Sequence, residues 1–145
     1  MAMVDVSGKA EILREATATG TIKLKGETVG LITTGKIAKG DPLYTAKIAG
    51  VLAAKRTSDL IPLCHPLPLT NVEVEVKVSD KNTIAVIATV KTRAQTGVEM
   101  EALTAVSVAL LTIWDMTKQY EKDVAGQYPS TVIENIHVVR KFKQA

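Results

Sequence analysis

A single cysteine, Cys64, stands among 145 residues. That scarcity excludes an intramolecular disulfide and any zinc site built on paired cysteines, and it fits a chain kept reduced in the cytosol. Aromatic residues make up only 3% of the chain, too few for the stacking platforms that single-stranded nucleic acid requires. Charge of one sign is also scarce. A formal net charge of +3 suits anionic small molecules but provides no basic run dense enough for DNA or RNA. No apolar run reaches membrane-spanning length, and the first residues lack the charged-then-apolar pattern of a signal sequence. The expectation is a soluble, cytoplasmic protein with neither a nucleic-acid nor a membrane partner. Walker loop, dinucleotide fingerprint and Ser-His-Asp set are absent too.

What is present is a globular composition, 46% hydrophobic and 23% charged, in a length that suits one domain with a real core. Residues 1–11 are small, polar and weakly patterned and read as an N-terminal arm; residues 12–145 read as a single domain. Glu15 to Leu24 alternates apolar and polar residues as a first strand. Glu27 to Thr33 is a short helix candidate ended by Gly35, and Lys39 follows in a Gly-containing loop. Asp41-Pro42 supplies an N-cap and a proline at the first helical position for an Ala-rich helix running to Lys55-Arg56. The proline-stiffened segment from Asp59 to Leu69 reads as extended. Val72 to Val78 turns through Ser79–Asn82 and returns as a hairpin. Thr96 to Lys122 predicts the longest helix, with Thr96 and Glu99 as a capping box and Met100, Leu103, Val106, Leu110, Ile113 and Trp114 on its core face. Val132 to Phe142 is a last strand. This order predicts an α+β, ferredoxin-like fold, a four-stranded antiparallel sheet with helices on one face. The other face of that sheet is not convincingly polar, so a homo-oligomer is expected.

Several residues carry more than packing. Asp115 and Lys118 share a helix face, as an ordinary surface ion pair or as an acid or base with an adjacent cation. Glu99 is explained as the cap; Glu101 complements the helix dipole or acts chemically, and Met100 packs or lines a site. His65, held between Pro62 and Pro66 beside Cys64, is either an exposed imidazole or a proton carrier near neutral pH. Lys39 is solvated surface or a phosphate-facing charge; His137 reads as structural. Glu101 and Asp115, fourteen residues apart, lie roughly 21 Å from one another at about 1.5 Å of rise per residue. They cannot grip the same small group within one subunit.

The runs MVDVS (Met3–Ser7), KGD (Lys39–Asp41), AAKRTSDLIPLCHPL (Ala53–Leu67), TGVEMEALTAVS (Thr96–Ser107) and DMTK (Asp115–Lys118) closely resemble the cyclic pyranopterin monophosphate synthase family of molybdenum cofactor (molybdopterin) biosynthesis. The resemblance implies a lyase, for which no cofactor is expected and no metal ligand is assigned. It also implies a homohexamer, a trimer of dimers, with active sites between subunits. The implied substrate is the cyclised GTP intermediate made by a partner radical GTP cyclase, and the implied products are the pterin monophosphate and pyrophosphate. Position by position, it makes Asp115, Lys118 and Lys39 catalytic. Leu63, Cys64, His65, Met100 and Glu101 become substrate-binding residues, and Glu99 and Arg14 second-rank candidates. The chain departs from many relatives at its end, where NIHVVRKFKQA replaces a glycine- and lysine-rich tail.

Overall fold

The computed structural model describes residues 1–145. Its elements run β1 (Ile12–Lys23), α1 (Gly26–Thr33), α2 (Pro42–Lys55), α3 (Thr57–Leu60), β2 (Leu69–Asp80), β3 (Thr83–Ala94), α4 (Glu99–Glu121) and β4 (Val132–Gln144). The strands form one sheet in the order β2-β3-β1-β4, and every neighbouring pair is antiparallel. This is the ferredoxin-like arrangement expected from the element order.

The alternation in β1 and β3 makes the core. Ala16, Ala18 and Ile22 of β1 and Ile84, Val86, Ala88 and Val90 of β3 are all buried on one face. Against them α4 lays Ala102, Ala105, Val106, Ala109, Leu110 and Ile113, also fully buried. Alanines let the backbones come close, and two glycines deepen the approach. A Cβ at Gly20 would lie 2.9 Å from Val106 Cγ1 and Leu110 Cδ1, and one at Gly50 of α2 would lie 3.2 Å from the Ala105 carbonyl oxygen. Met100, expected on this core face, instead projects outward at 39% exposure, because the helix turns its small residues inward and leaves the thioether over a cavity. By length and composition α4 could cross a membrane, contrary to the expectation that no stretch qualifies. Its apolar side is the one packed on the sheet.

Asp41 caps α2 as its sequence predicts, its Oδ1 accepting from Leu43 N at 2.9 Å and Tyr44 N at 3.3 Å, with Pro42 in the first turn. The capping box at α4 does not form. The N-cap is Val98, with no side-chain hydrogen bond, because Glu99 is drawn away to Lys141 of β4. Asp59 and Leu60, expected in an extended segment, belong to the single turn α3, tied by the Thr57 hydroxyl to the Ala53 and Ala54 carbonyls. Strand β1 begins at Ile12 rather than Glu15, since pairing with β3 carries it back to Ala94.

Candidate active site

The far end of α4 is fastened before it is functional. Glu121, fully buried, accepts from the Lys25 backbone amide at 3.1 Å, from the Thr131 hydroxyl at 2.6 Å and from the Thr28 hydroxyl. One turn of side chain away, the Tyr120 hydroxyl accepts from Ala38 N at 2.7 Å. The loop after α1 is thereby held against the last turns of α4, which brings Lys39 to Asp115. Lys39 Nζ lies 2.9 Å from Asp115 Oδ2, and Lys118 Nζ lies 3.1 Å from Oδ1. The hydrogen bonds from Lys39 and then from Lys118 hold the Asp115 carboxyl below its ordinary value. An anion so held serves as a base or as an anchor for two cations, not as an acid. The i, i+3 pair expected from spacing is thus part of a three-residue constellation with Lys39, contributed from another element.

The start of α4 carries the second cluster. Leu63, Cys64, His65, Glu99 and Met100 line one cavity of about 550 Å³, together with Val4, Val6 and Lys9 of the N-terminal arm. His65 Nε2 lies 2.8 Å from the Val4 carbonyl oxygen, so Nε2 carries a proton and donates it to that oxygen. The arm is therefore docked on its own chain. Glu101 sits beneath the cavity at 3% exposure, with Oε1 unpartnered and Oε2 3.9 Å from Cys64 Sγ. Burial, seconded by the charge of Glu99, pushes its carboxyl above the ordinary glutamate range. Burial likewise pushes the Cys64 thiol up, with Glu101 adding to it. A buried carboxyl whose protonated form is favoured, beside a thiol and below an imidazole, is suited to exchanging protons with the polar edge of a heterocycle.

Arg14 lines an adjoining cavity of about 430 Å³ with Lys9, Glu99, Lys141 and Lys143. Partial burial pushes Glu99 up, but the Lys141 hydrogen bond, its own amide and the charges of Lys141 and Arg14 outweigh it and hold the carboxyl below its ordinary value.

The profile of the MoaC family matches residues 3–143. The chain belongs to the MoaC family. A relative from Sulfolobus acidocaldarius is 56% identical over 141 residues, covering 97% of this chain and 98% of its own. Another from Methanococcoides burtonii is 57% identical over 142 residues, covering 98% and 89%. Both bear the name "Probable cyclic pyranopterin monophosphate synthase". A relative from Methanothermobacter thermautotrophicus, 56% identical over 141 residues and covering 97% of this chain and 88% of its own, is named a "Probable cyclic pyranopterin monophosphate synthase accessory protein". The MoaC match runs through both clusters and through Lys141 and Lys143 of the last strand.

Within this MoaC chain, Lys39, Asp115 and Lys118 converge at one end of α4. Leu63, Cys64, His65, Met100, Glu99 and Glu101 converge at the other. The two groups do not meet. Sequence reasoning did not single out Lys9, Lys141 and Lys143, which line the cavity beside Arg14. The only signal for the last two was their spacing of two in the final strand, which puts both on one face.

Proposed function

We propose that this chain converts (8S)-3′,8-cyclo-7,8-dihydroguanosine 5′-triphosphate to cyclic pyranopterin monophosphate with release of pyrophosphate. This is a phosphorus-oxygen lyase step in molybdenum cofactor biosynthesis, downstream of a radical GTP cyclase. The observation that carries the reading is Asp115 gripping both Lys39 and Lys118 at hydrogen-bonding distance, in a chain whose relatives bear that synthase's name.

The chemistry asks for what these residues offer. Rebuilding the purine as a pterin opens and recloses nitrogen-bearing rings through water and proton transfers, work for Glu101, His65 and Cys64 beside the heterocycle. Closing the cyclic phosphate has a hydroxyl lose its proton, attack the α-phosphorus and expel pyrophosphate as the bond to the β-phosphate oxygen breaks. Lys39 and Lys118 stabilise the charge that develops there, and Asp115 orients them and receives protons. Leu63 and Met100 wall the ring system, with Glu99 and Arg14 at the rim.

The distance between the two clusters supports active sites between subunits, each drawing the Asp115 end of α4 from one copy and the Glu101 end from another. A homohexamer, assembled as a trimer of dimers, provides such junctions. Residues 12–145 act as one catalytic domain in the cytoplasm.

A binding module that holds the nucleotide without transforming it is the competing reading, and the accessory-protein name of one relative speaks for it. Incubation with the cyclised GTP intermediate while pyrophosphate is assayed separates the two. Release by the native protein and not by Asp115→Asn supports the enzyme; release from neither favours the binder, and equal release from both refutes the role given to Asp115.

A further inference from the structure

We propose that Tyr128 is a substrate-contacting residue of the Asp115 site, its phenol hydroxyl donating to a non-bridging oxygen of the α-phosphate that Lys39 and Lys118 neutralise. Leu111, Trp114 and Lys118 recur along α4 at steps of three and four, with Asp115 next to Trp114, so all four share one side of the helix. Together with Tyr128 and Ile133 they line one cavity of about 430 Å³. Side-chain carbon makes most of its wall, and Asp115 and Lys118 carry its charge. Such a cavity fits an organic phosphate whose sugar lies on the apolar wall while its charge meets the cations. Neither Trp114 nor Tyr128 lies within the runs that resemble the synthase family.

The place of Tyr128 is fixed from both sides along the chain. Before it, Asp123 closes a tight turn: its Oδ1 accepts from Ala125 N and Gln127 N, both at 2.9 Å. Asp123 N donates to the Gln127 carbonyl at 2.9 Å and Gly126 N to the Asp123 carbonyl at 3.0 Å. Gly126 takes the left-handed φ of 77° that this turn requires. After Tyr128, the Thr131 hydroxyl is tied to buried Glu121 at 2.6 Å. The ring between these anchors rests against Trp114, with centroids 5.1 Å apart and planes tilted by 57°, a pairing that the ring quadrupoles favour. Packing thus holds the ring and leaves the hydroxyl over. Whereas the Tyr120 hydroxyl is taken by Ala38 N, that of Tyr128 makes no hydrogen bond within the chain and borders the cavity.

The reaction has a use for that donor. Lys39 Nζ gives two of its three N–H groups to the Asp115 carbonyl and Oδ2, and Lys118 gives one to Oδ1. That leaves one on Lys39 and two on Lys118. An α-phosphorus under attack spreads its charge over oxygens that point in several directions, and both lysines are drawn to Asp115. Tyr128 reaches the same cavity from a different segment, so its hydroxyl supplies a donor from a second direction. It donates without transferring its proton, so the balance of the step is unchanged and pyrophosphate remains the leaving group. The identity of the ligand rests on the nucleotide reading above; the place of Tyr128 rests on the turn and the cavity alone.

The test measures pyrophosphate release from the cyclised GTP intermediate by the full-length native protein, by Tyr128→Phe, and by Tyr44→Phe, which removes an exposed hydroxyl on α2. The kcat/KM should fall about tenfold or more in Tyr128→Phe and stay native in Tyr44→Phe. Trp114 is the only tryptophan, so its emission reports the ring contact and should be the same in the native protein and Tyr128→Phe. A native kcat/KM in Tyr128→Phe overturns the proposal and leaves the synthase reading standing. An equal loss in Tyr44→Phe overturns it as well, and so does a loss accompanied by shifted Trp114 emission, because the ring has then moved. If the native protein releases no pyrophosphate, the synthase reading falls and binding decides. Titrating the intermediate should then quench Trp114 emission, with a midpoint roughly threefold or more higher in Tyr128→Phe. Equal midpoints, or no quenching in the native protein, overturn the contact.

Discussion

Replacing Glu121 with alanine should be the most damaging single change outside the apolar core, and it should reach the candidate active site without touching it. The carboxylate is wholly buried and accepts from Lys25 N, the Thr28 hydroxyl and the Thr131 hydroxyl. Truncation leaves three donors unsatisfied in a dry pocket, each costing at least about 1 kcal/mol. The sum is roughly 3 kcal/mol, and the small cavity raises it to about 4. Against the 5–15 kcal/mol typical of a folded domain, that is a large fraction but not the whole. The thermal midpoint should fall by about 10 °C for a chain of this size. Glu121→Gln keeps an acceptor oxygen and should lose less than half as much. Urea titration followed by circular dichroism measures both. The functional consequence is separate: the same anchorage sets the α1 end against α4 and, with Tyr120 on Ala38, positions Lys39 at Asp115. Pyrophosphate release by Glu121→Ala should therefore fall even at temperatures where the variant is fully folded. A loss below about 1 kcal/mol with unchanged turnover would refute the claim that this buried carboxylate staples the two elements together.

Other outcomes follow from the same geometry. Because burial lifts the Glu101 carboxyl above its ordinary value of 4.5, its contribution to stability is fully present below that pH and is lost as pH rises through the lifted value. Relative to Glu101→Gln, the native protein should lose stability between acidic and neutral pH; a difference curve that stays flat over that window in urea titrations would sink the assignment. Asp41→Ala removes the cap of α2 and should cost about 1 kcal/mol, read as a lower urea midpoint with unchanged slope. Gly20→Ala drives a methyl to 2.9 Å from Ile136, Leu110 and Val106 side-chain atoms and should destabilise by about 1–3 kcal/mol. A neutral result there would mean that α4 rides looser on the sheet than its packing indicates.

Local chemistry was readable in advance wherever a few adjacent residues decided the outcome. Asp41-Pro42 announced its helix start, the alternating valines and the Ser79–Asn82 turn announced the hairpin, and the element order gave the sheet. The failures share a cause. Thr96 and Glu99 have the spacing of a capping box, yet Glu99 answers to Lys141, a partner that only the sheet brings near. The arm looked unanchored, yet His65 holds Val4 across 61 residues of sequence. Likewise Glu121 is an unremarked acid at a helix end until Lys25, Thr28 and Thr131 close round it. The candidate site was legible residue by residue through family motifs, while its division into two separate groups of side chains followed from the length of α4. The basic cavity at the sheet's end was not legible, because Arg14 and Lys143 are neighbours only through strand register.

The 23 residues of α4 act as a ruler with chemistry marked at both tips. A residue inserted midway would lengthen the ruler by only about 1.5 Å but would spin one tip by about 100° against the other. Any docking that depends on both tips would then lose phase altogether. Length changes in this protein's lineage should therefore gather in the arm, the turns and the last strand's end, while the central rod keeps its count.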